Sequence, residues 1–141
     1  SQQAELTASD AANTDFFGWS VSLEGNDALV GAPYQDAAAP DGGAVYVYHF
    51  DGASWAQTAK LTASDAAQED FFGWSVSLHG DYAVIGAFMK NGAGTHSGAA
   101  YVFRRSGTGW TQLAKLTAPD AAAGDSFGQS VRLSVPYAVS R

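Results

Sequence analysis

The sequence repeats itself every 55 residues, and this period limits the possible folds more than any other feature. Leu6, Leu61 and Leu116 each open a Leu-Thr-Ala triplet. Phe17-Gly18, Phe72-Gly73 and Phe127-Gly128 keep the same spacing, as do Trp55 and Trp110. Residues 5–59 and 60–114 align without a gap at 29 identities in 55 positions, far above chance. The chain therefore divides into repeat 1 at about 5–59, repeat 2 at about 60–114 and a partial repeat 3 at about 115–141. Gln2, Ala4 and Leu6 match Gln57, Ala59 and Leu61, so residues 1–8 are expected to complete a preceding or partner unit.

Within a unit the pattern is β. Phe17, Trp19, Val21 and Leu23 alternate with Gly18, Ser20 and Ser22, which is the period-two signature of a strand. Glu24-Gly25-Asn26-Asp27 reads as a turn. Ala28 to Ala32 is a short apolar run, expected of a strand covered on both faces. Residues 33–43 read as a longer loop. Ala44 to Tyr48 is a third strand, Asp51-Gly52 a hairpin turn, and Trp55 to Leu61 a fourth strand. No stretch carries a capped helix of useful length.

A four-stranded meander that is apolar on both faces must be covered by its neighbours. Repeats of this kind build β-propellers. The expected fold is all-β: propeller blades of four-stranded antiparallel meanders, about 2.5 blades per chain, with the ring completed by oligomerisation.

Acidic residues number 14 against 7 basic, a formal charge of −7, so the basic stripe of a nucleic-acid binder is missing. No apolar run approaches the roughly 20 residues of a membrane-spanning helix, and no signal-peptide pattern is present. The absence of cysteine removes disulfides, thiolate metal sites and cysteine nucleophiles.

The run Phe17-Gly18, then Gly31-Ala32-Pro33, resembles the FG-GAP repeat family. The second copy keeps Phe72-Gly73 and Gly86-Ala87 but has Phe88 for the proline, and the third keeps only Phe127-Gly128. The pattern is most similar to the branch found in bacterial surface and secreted proteins. The resemblance implies a propeller devoted to adhesion or ligand recognition outside the cytoplasm. It also implies calcium, held by an Asp-rich loop between the first two strands. Here those positions read Glu24 to Asp27 and His79 to Tyr82, too short for six to eight oxygen ligands. No metal or other cofactor is therefore expected.

No nucleophile elbow, phosphate loop or metal-ligand spacing is present, and His49, His79 and His96 are not related by the repeat. No catalytic residue is assigned, and the chain is expected not to be an enzyme. The recurring acidic connector, Asp10 and Asp15, then Asp65 and Asp70, then Asp120 and Asp125, reads as a turn-capping device. Trp19, Trp55, Trp74 and Trp110 recur in register and read as inter-blade core rather than sugar platforms. The copies diverge most in the loop after the second strand, which a meander places beside the loop entering the first. The expected ligand-binding residues are therefore Tyr34, Gln35, Asp36, Asp41, Met89, Lys90, Asn91 and His96.

These readings converge on a non-catalytic binding or adhesion module that recognises a protein or glycan through one propeller face. A structural self-assembly unit, or an accessory fragment of a larger secreted enzyme, are the alternatives. An apolar blade face at each end predicts self-association. A homodimer closing a six-bladed ring is the expected form, with a trimer as the other possibility; neither nucleic acid nor membrane insertion is expected.

Overall fold

The computed structural model describes residues 4–10, 15–36, 38–90, 97–107, 109–118, 124, 127–134 and 137–140. The first sheet holds β1 (Ser20–Glu24), β2 (Asp27–Ala32), β3 (Ala44–Phe50) and β4 (Trp55–Leu61), antiparallel in the order β1-β2-β3-β4. The second repeats that order in β5 (Ser75–His79), β6 (Tyr82–Ala87), β7 (Ala99–Ser106) and β8 (Gly109–Leu116). A third, two-stranded sheet pairs β9 (Val131–Ser134) with β10 (Tyr137–Ser140). These are two complete meander blades and the first hairpin of a third, consistent with a propeller.

Glu24 pairs with Asp27 and His79 with Tyr82, so two-residue turns join the first and second strands of each blade. The first strand begins later than the alternation from Phe17 implies. Gly18 has φ 94, and the Trp19 amide donates to the Phe16 carbonyl at 3.0 Å, closing a turn before Ser20. Both blades carry a bulge between strands three and four, at Val47/Tyr48 and at Val102/Phe103. Residues 4–8 take no ladder partner among the described residues. Leu6 and Ala8 nevertheless pack on the first sheet, and the Tyr48 hydroxyl donates to the Thr7 carbonyl at 2.7 Å.

The core lies between the sheets. One face of the first sheet presents Leu29, Val45, Val47 and Leu61. Against them lie Phe72, Val76, Leu78, Ile85, Tyr101 and Phe103 of the second repeat, all buried. The next junction repeats this packing, with Val84 and Ala100 against Val131. β1 lies beside β5 and β5 beside β9, so the first strands line up successively.

The junction also explains the glycines. A Cβ on Gly31 would collide with the Gly73 carbonyl, and one on Gly43 with the Phe72 backbone. Gly86 and Gly98 stand in the same relation to Gly128 and Phe127. Phe72-Gly73 and Phe127-Gly128 are thus each bedded on two glycines of the preceding blade, through the parallel bridges Gly43↔Phe72 and Gly98↔Phe127. Ser20 Oγ donates to the Gly73 carbonyl at 2.8 Å, and Ser75 Oγ to that of Gly128 at 3.0 Å.

Candidate binding face

At one end of the blades, the loops entering the first strands meet the loops leaving the second strands. The Tyr34 amide donates to the Asp15 carbonyl at 3.4 Å, tying the two together. Six aromatic rings form a continuous row there. Phe16 meets Tyr34 at 4.8 Å, Tyr34 meets Phe71 at 4.9 Å, and Trp19 meets Trp74 at 4.5 Å between ring centroids. Trp74 meets Phe88 at 4.4 Å. Phe16 is 50% and Trp19 47% exposed, while the other four rings are partly buried. The row spans both blades and is open to solvent at its first-blade end.

The backbone beneath the row is unusual. Phe16, Asp41, Glu69 and Phe71 are the non-glycine residues with left-handed φ among the described residues, at 55, 51, 61 and 57°. All four belong to these loops. Such conformations cost roughly 1–3 kcal/mol each and concentrate at binding surfaces. Here they are held by hydrogen bonds: Glu69 amide to Pro40 carbonyl at 2.9 Å, Phe71 amide to Asp41 carbonyl at 3.1 Å, and Trp74 amide to Phe71 carbonyl at 3.0 Å. Asp36 accepts from the Asp41 amide at 2.9 Å. Burial, with the neighbouring charges of Asp36 and Glu69, raises the Asp41 carboxyl above its ordinary value.

Of the expected ligand-binding residues, Tyr34 stands in the row, Asp36 is exposed, and Asp41 and Met89 are half-buried beside it. Gln35 and Lys90 are buried beneath the surface. The Lys90 ammonium sits 2.8 Å from the Asp70 carboxylate, with both side chains almost fully enclosed, and also donates to the Asp65 carbonyl. That commits Lys90 to holding its own loop against the connector. Asn91 and His96 lie outside the described residues.

The four tryptophans divide. Trp110 packs against the cluster between the two sheets, and Trp55, at the equivalent position, against the cluster on the outer face of the first sheet. Trp19 and Trp74 instead belong to the aromatic row, because they precede their strands and project from the loop end rather than from between sheets. The available sequence signal was the third copy, where Ser126 and Gln129 replace the counterparts of Phe16 and Trp19 while Phe127-Gly128 persists.

The acidic connector is structural where it is described. Asp10 accepts from the Tyr46 hydroxyl at 2.7 Å and pairs with Lys60 at 2.5 Å. Asp65 repeats this with Tyr101 and Lys115, each at 2.7 Å. The Lys60 hydrogen bond lowers the Asp10 carboxyl. At Asp65, burial works upward, but Lys115 and Tyr101 outweigh it and the net shift is down. Burial pushes both tyrosine hydroxyls well above their ordinary value.

The turns that would carry calcium do not fit the ion. The Glu24 carboxylate accepts from the Gly80 amide at 2.7 Å and pairs with His79 at 3.0 Å. Asp27 pairs with His49 at 2.8 Å and Arg105 at 3.0 Å. These carboxylates are taken up by basic side chains and a backbone amide, three of those contacts crossing the blade junction.

The FG-GAP repeat family model matches residues 1–48, 55–103 and 110–139, nearly the whole chain. The chain belongs to the FG-GAP repeat family. Each matched stretch opens on residues 1–8 or on a fourth strand and runs into the following blade, so the family's unit bridges two blades of this FG-GAP protein. No curated protein sequence matches it. FG-GAP repeats suggest a binding or adhesion module of the propeller type, and they occur in extracellular proteins. Among the described residues, no helix is long and apolar enough to cross a membrane.

Proposed function

We propose that this FG-GAP segment is a non-catalytic recognition module that works outside the cytoplasm and binds a protein or glycan through the aromatic face. The observation that carries this reading is the six-ring row, laid across two blades on loops and half-open to solvent. Large rings bury much area at little entropic cost, which is what an adhesive surface needs. Their planes are mutually tilted by 45–70° at the Phe16, Trp19, Tyr34 and Trp74 contacts. They therefore offer a mixture of ring faces and edges. Asp36 and Asp41 add hydrogen-bond acceptors beside the apolar rings.

A glycan array and a peptide array probed with the intact chain test this directly. Binding should be lost about 10-fold or more in Trp19→Ala and in Tyr34→Ala, a loss of about 1.4 kcal/mol each. Trp110→Phe, remote from the row, should leave binding intact. Equal binding by wild type and both row variants would remove the reading, as would hydrolysis of any arrayed ligand by the pure chain.

A further inference from the structure

Lys90 and Asp70 form the most enclosed ion pair among the described residues, with side chains 7% and 4% exposed. The lysine nitrogen lies 2.8 Å from Asp70 Oδ2 and also donates to the Asp65 carbonyl. The Asp65 carboxylate stands 3.7 Å from the same nitrogen. Asp70 Oδ2 accepts a second hydrogen bond, from the Ala67 amide at 2.8 Å. Asp65, Ala67 and Asp70 belong to the connector between β4 and β5, and Lys90 to the loop that leaves β6. A primary amine, a carboxyl carbon, a second carboxylate and a backbone amide thus meet in one closed place.

Free amines and carboxylates do not condense in water. Groups held in contact react as if at an effective concentration on the order of 10⁵–10⁸ M. Enclosure also keeps out the water that would reverse the bond, and a lysine removed from solvent is a recurring nucleophile. The first repeat has the same packing without the same chemistry. Gln35 and Asp15 stand at the positions of Lys90 and Asp70 and are equally buried. A glutamine amide fills the space and forms hydrogen bonds, but its nitrogen does not attack a carboxyl. Only the second repeat carries the amine.

We propose that Lys90 and Asp70 join in an intramolecular isopeptide bond, a self-catalysed modification that ties the loop carrying Phe88 to the connector carrying Phe71 and Trp74. The ion pair is the reactant. One ammonium proton leaves through Asp65 and ends on Asp70 Oδ1, which makes the nitrogen a neutral amine. That nitrogen bonds to Asp70 Cγ, while the negative charge develops on Oδ2 against the Ala67 amide. A second nitrogen proton follows the same route, the Cγ–Oδ1 bond breaks and one water departs with its electron pair. Nothing is oxidised or reduced, and no co-reactant is needed. The bond would hold three rings of the aromatic row in register, and it stands apart from the ligand reading.

Intact-mass spectrometry of the folded chain, followed over prolonged incubation at neutral pH, is the test. The mass should settle one water below that of the sequence. Trypsin should then fail to cut the denatured chain after Lys90, because its amine is acylated. Lys90→Arg and Asp70→Ala should both keep the full mass. Asp65→Asn should form the bond on the order of 100-fold more slowly, as loss of a proton carrier does. The Asp41-Gly42 and Asp51-Gly52 pairs can also lose water by closing to cyclic imides, and that loss would survive both Lys90→Arg and Asp70→Ala. A wild type that keeps its full mass, a water loss that persists in Lys90→Arg, cleavage after Lys90 in the lighter species, or an unchanged rate in Asp65→Asn would each overturn the proposal.

Discussion

A single methyl group at Gly31 would land inside the Gly73 carbonyl of the next blade. Ser20 Oγ also stands in the way, and although that side chain could turn, the Gly73 carbonyl is backbone in a packed junction and cannot yield. Gly31→Ala should cost about 2–3 kcal/mol in urea unfolding, as overpacking does, and Gly86→Ala should do the same at the second junction. Lys90 and Asp70 form the other sensitive point, because both side chains are enclosed. Removing one partner strands a buried charge, so Lys90→Ala should lower stability by about 3 kcal/mol. Lys90→Gln should cost less, since the first repeat carries Gln35 there above an equally buried Asp15. The carboxylates set the acid limit. Asp10, Asp27 and Asp65 are held below their ordinary value of 3.8. Their contribution is therefore complete above about pH 4 and lost as pH falls through the lower folded values. Asp65→Asn should flatten that acid-side loss and cost about 1 kcal/mol at neutral pH, a figure reduced for its partial exposure. Thermal melts from pH 2.5 to 7 check both.

The strands were largely legible in the residues, because period-two alternation and Gly-containing turns are local signals. β2, β3 and β4 begin within a residue or so of the apolar runs that mark them. The start of β1 was not legible. Phe17 and Trp19 alternate with Gly18 and Ser20 like strand residues, but Gly18 and Phe16 adopt positive φ to set Phe17 into the core. The bulges after Val47 and Val102 also left no signal, since the extra residues, Thr58 and Leu113, share no turn chemistry. Residues 4–8 resemble a fourth strand, yet a strand needs a ladder neighbour, and among the described residues they have only side-chain packing. Leu78→Ala in β5 should cost about 3 kcal/mol by opening a cavity between sheets.

Across the molecule, stability should be graded by how many faces of each sheet are covered. The second sheet is packed on both faces, the first sheet fully on one, and the β9–β10 hairpin on one with only two strands. Amide exchange should therefore be slowest in β6 and β7 and fastest in β9 and β10, where local opening needs little surface exposure. Equal protection throughout would mean that the hairpin is covered by more than this chain supplies.

The residues by themselves determined the repeat, the meander and the blade architecture. Each rests on spacing along the chain, and spacing is a one-dimensional quantity. They also marked the loop after the second strand as the place where the copies differ. Only the tertiary structure decided which of those side chains reach the surface. Tyr34 joins an aromatic row, whereas Lys90, two residues after Phe88, turns inward to Asp70. Only packing separates Val21 from Val76, because burial belongs to the neighbour across the interface rather than to the residue that is buried.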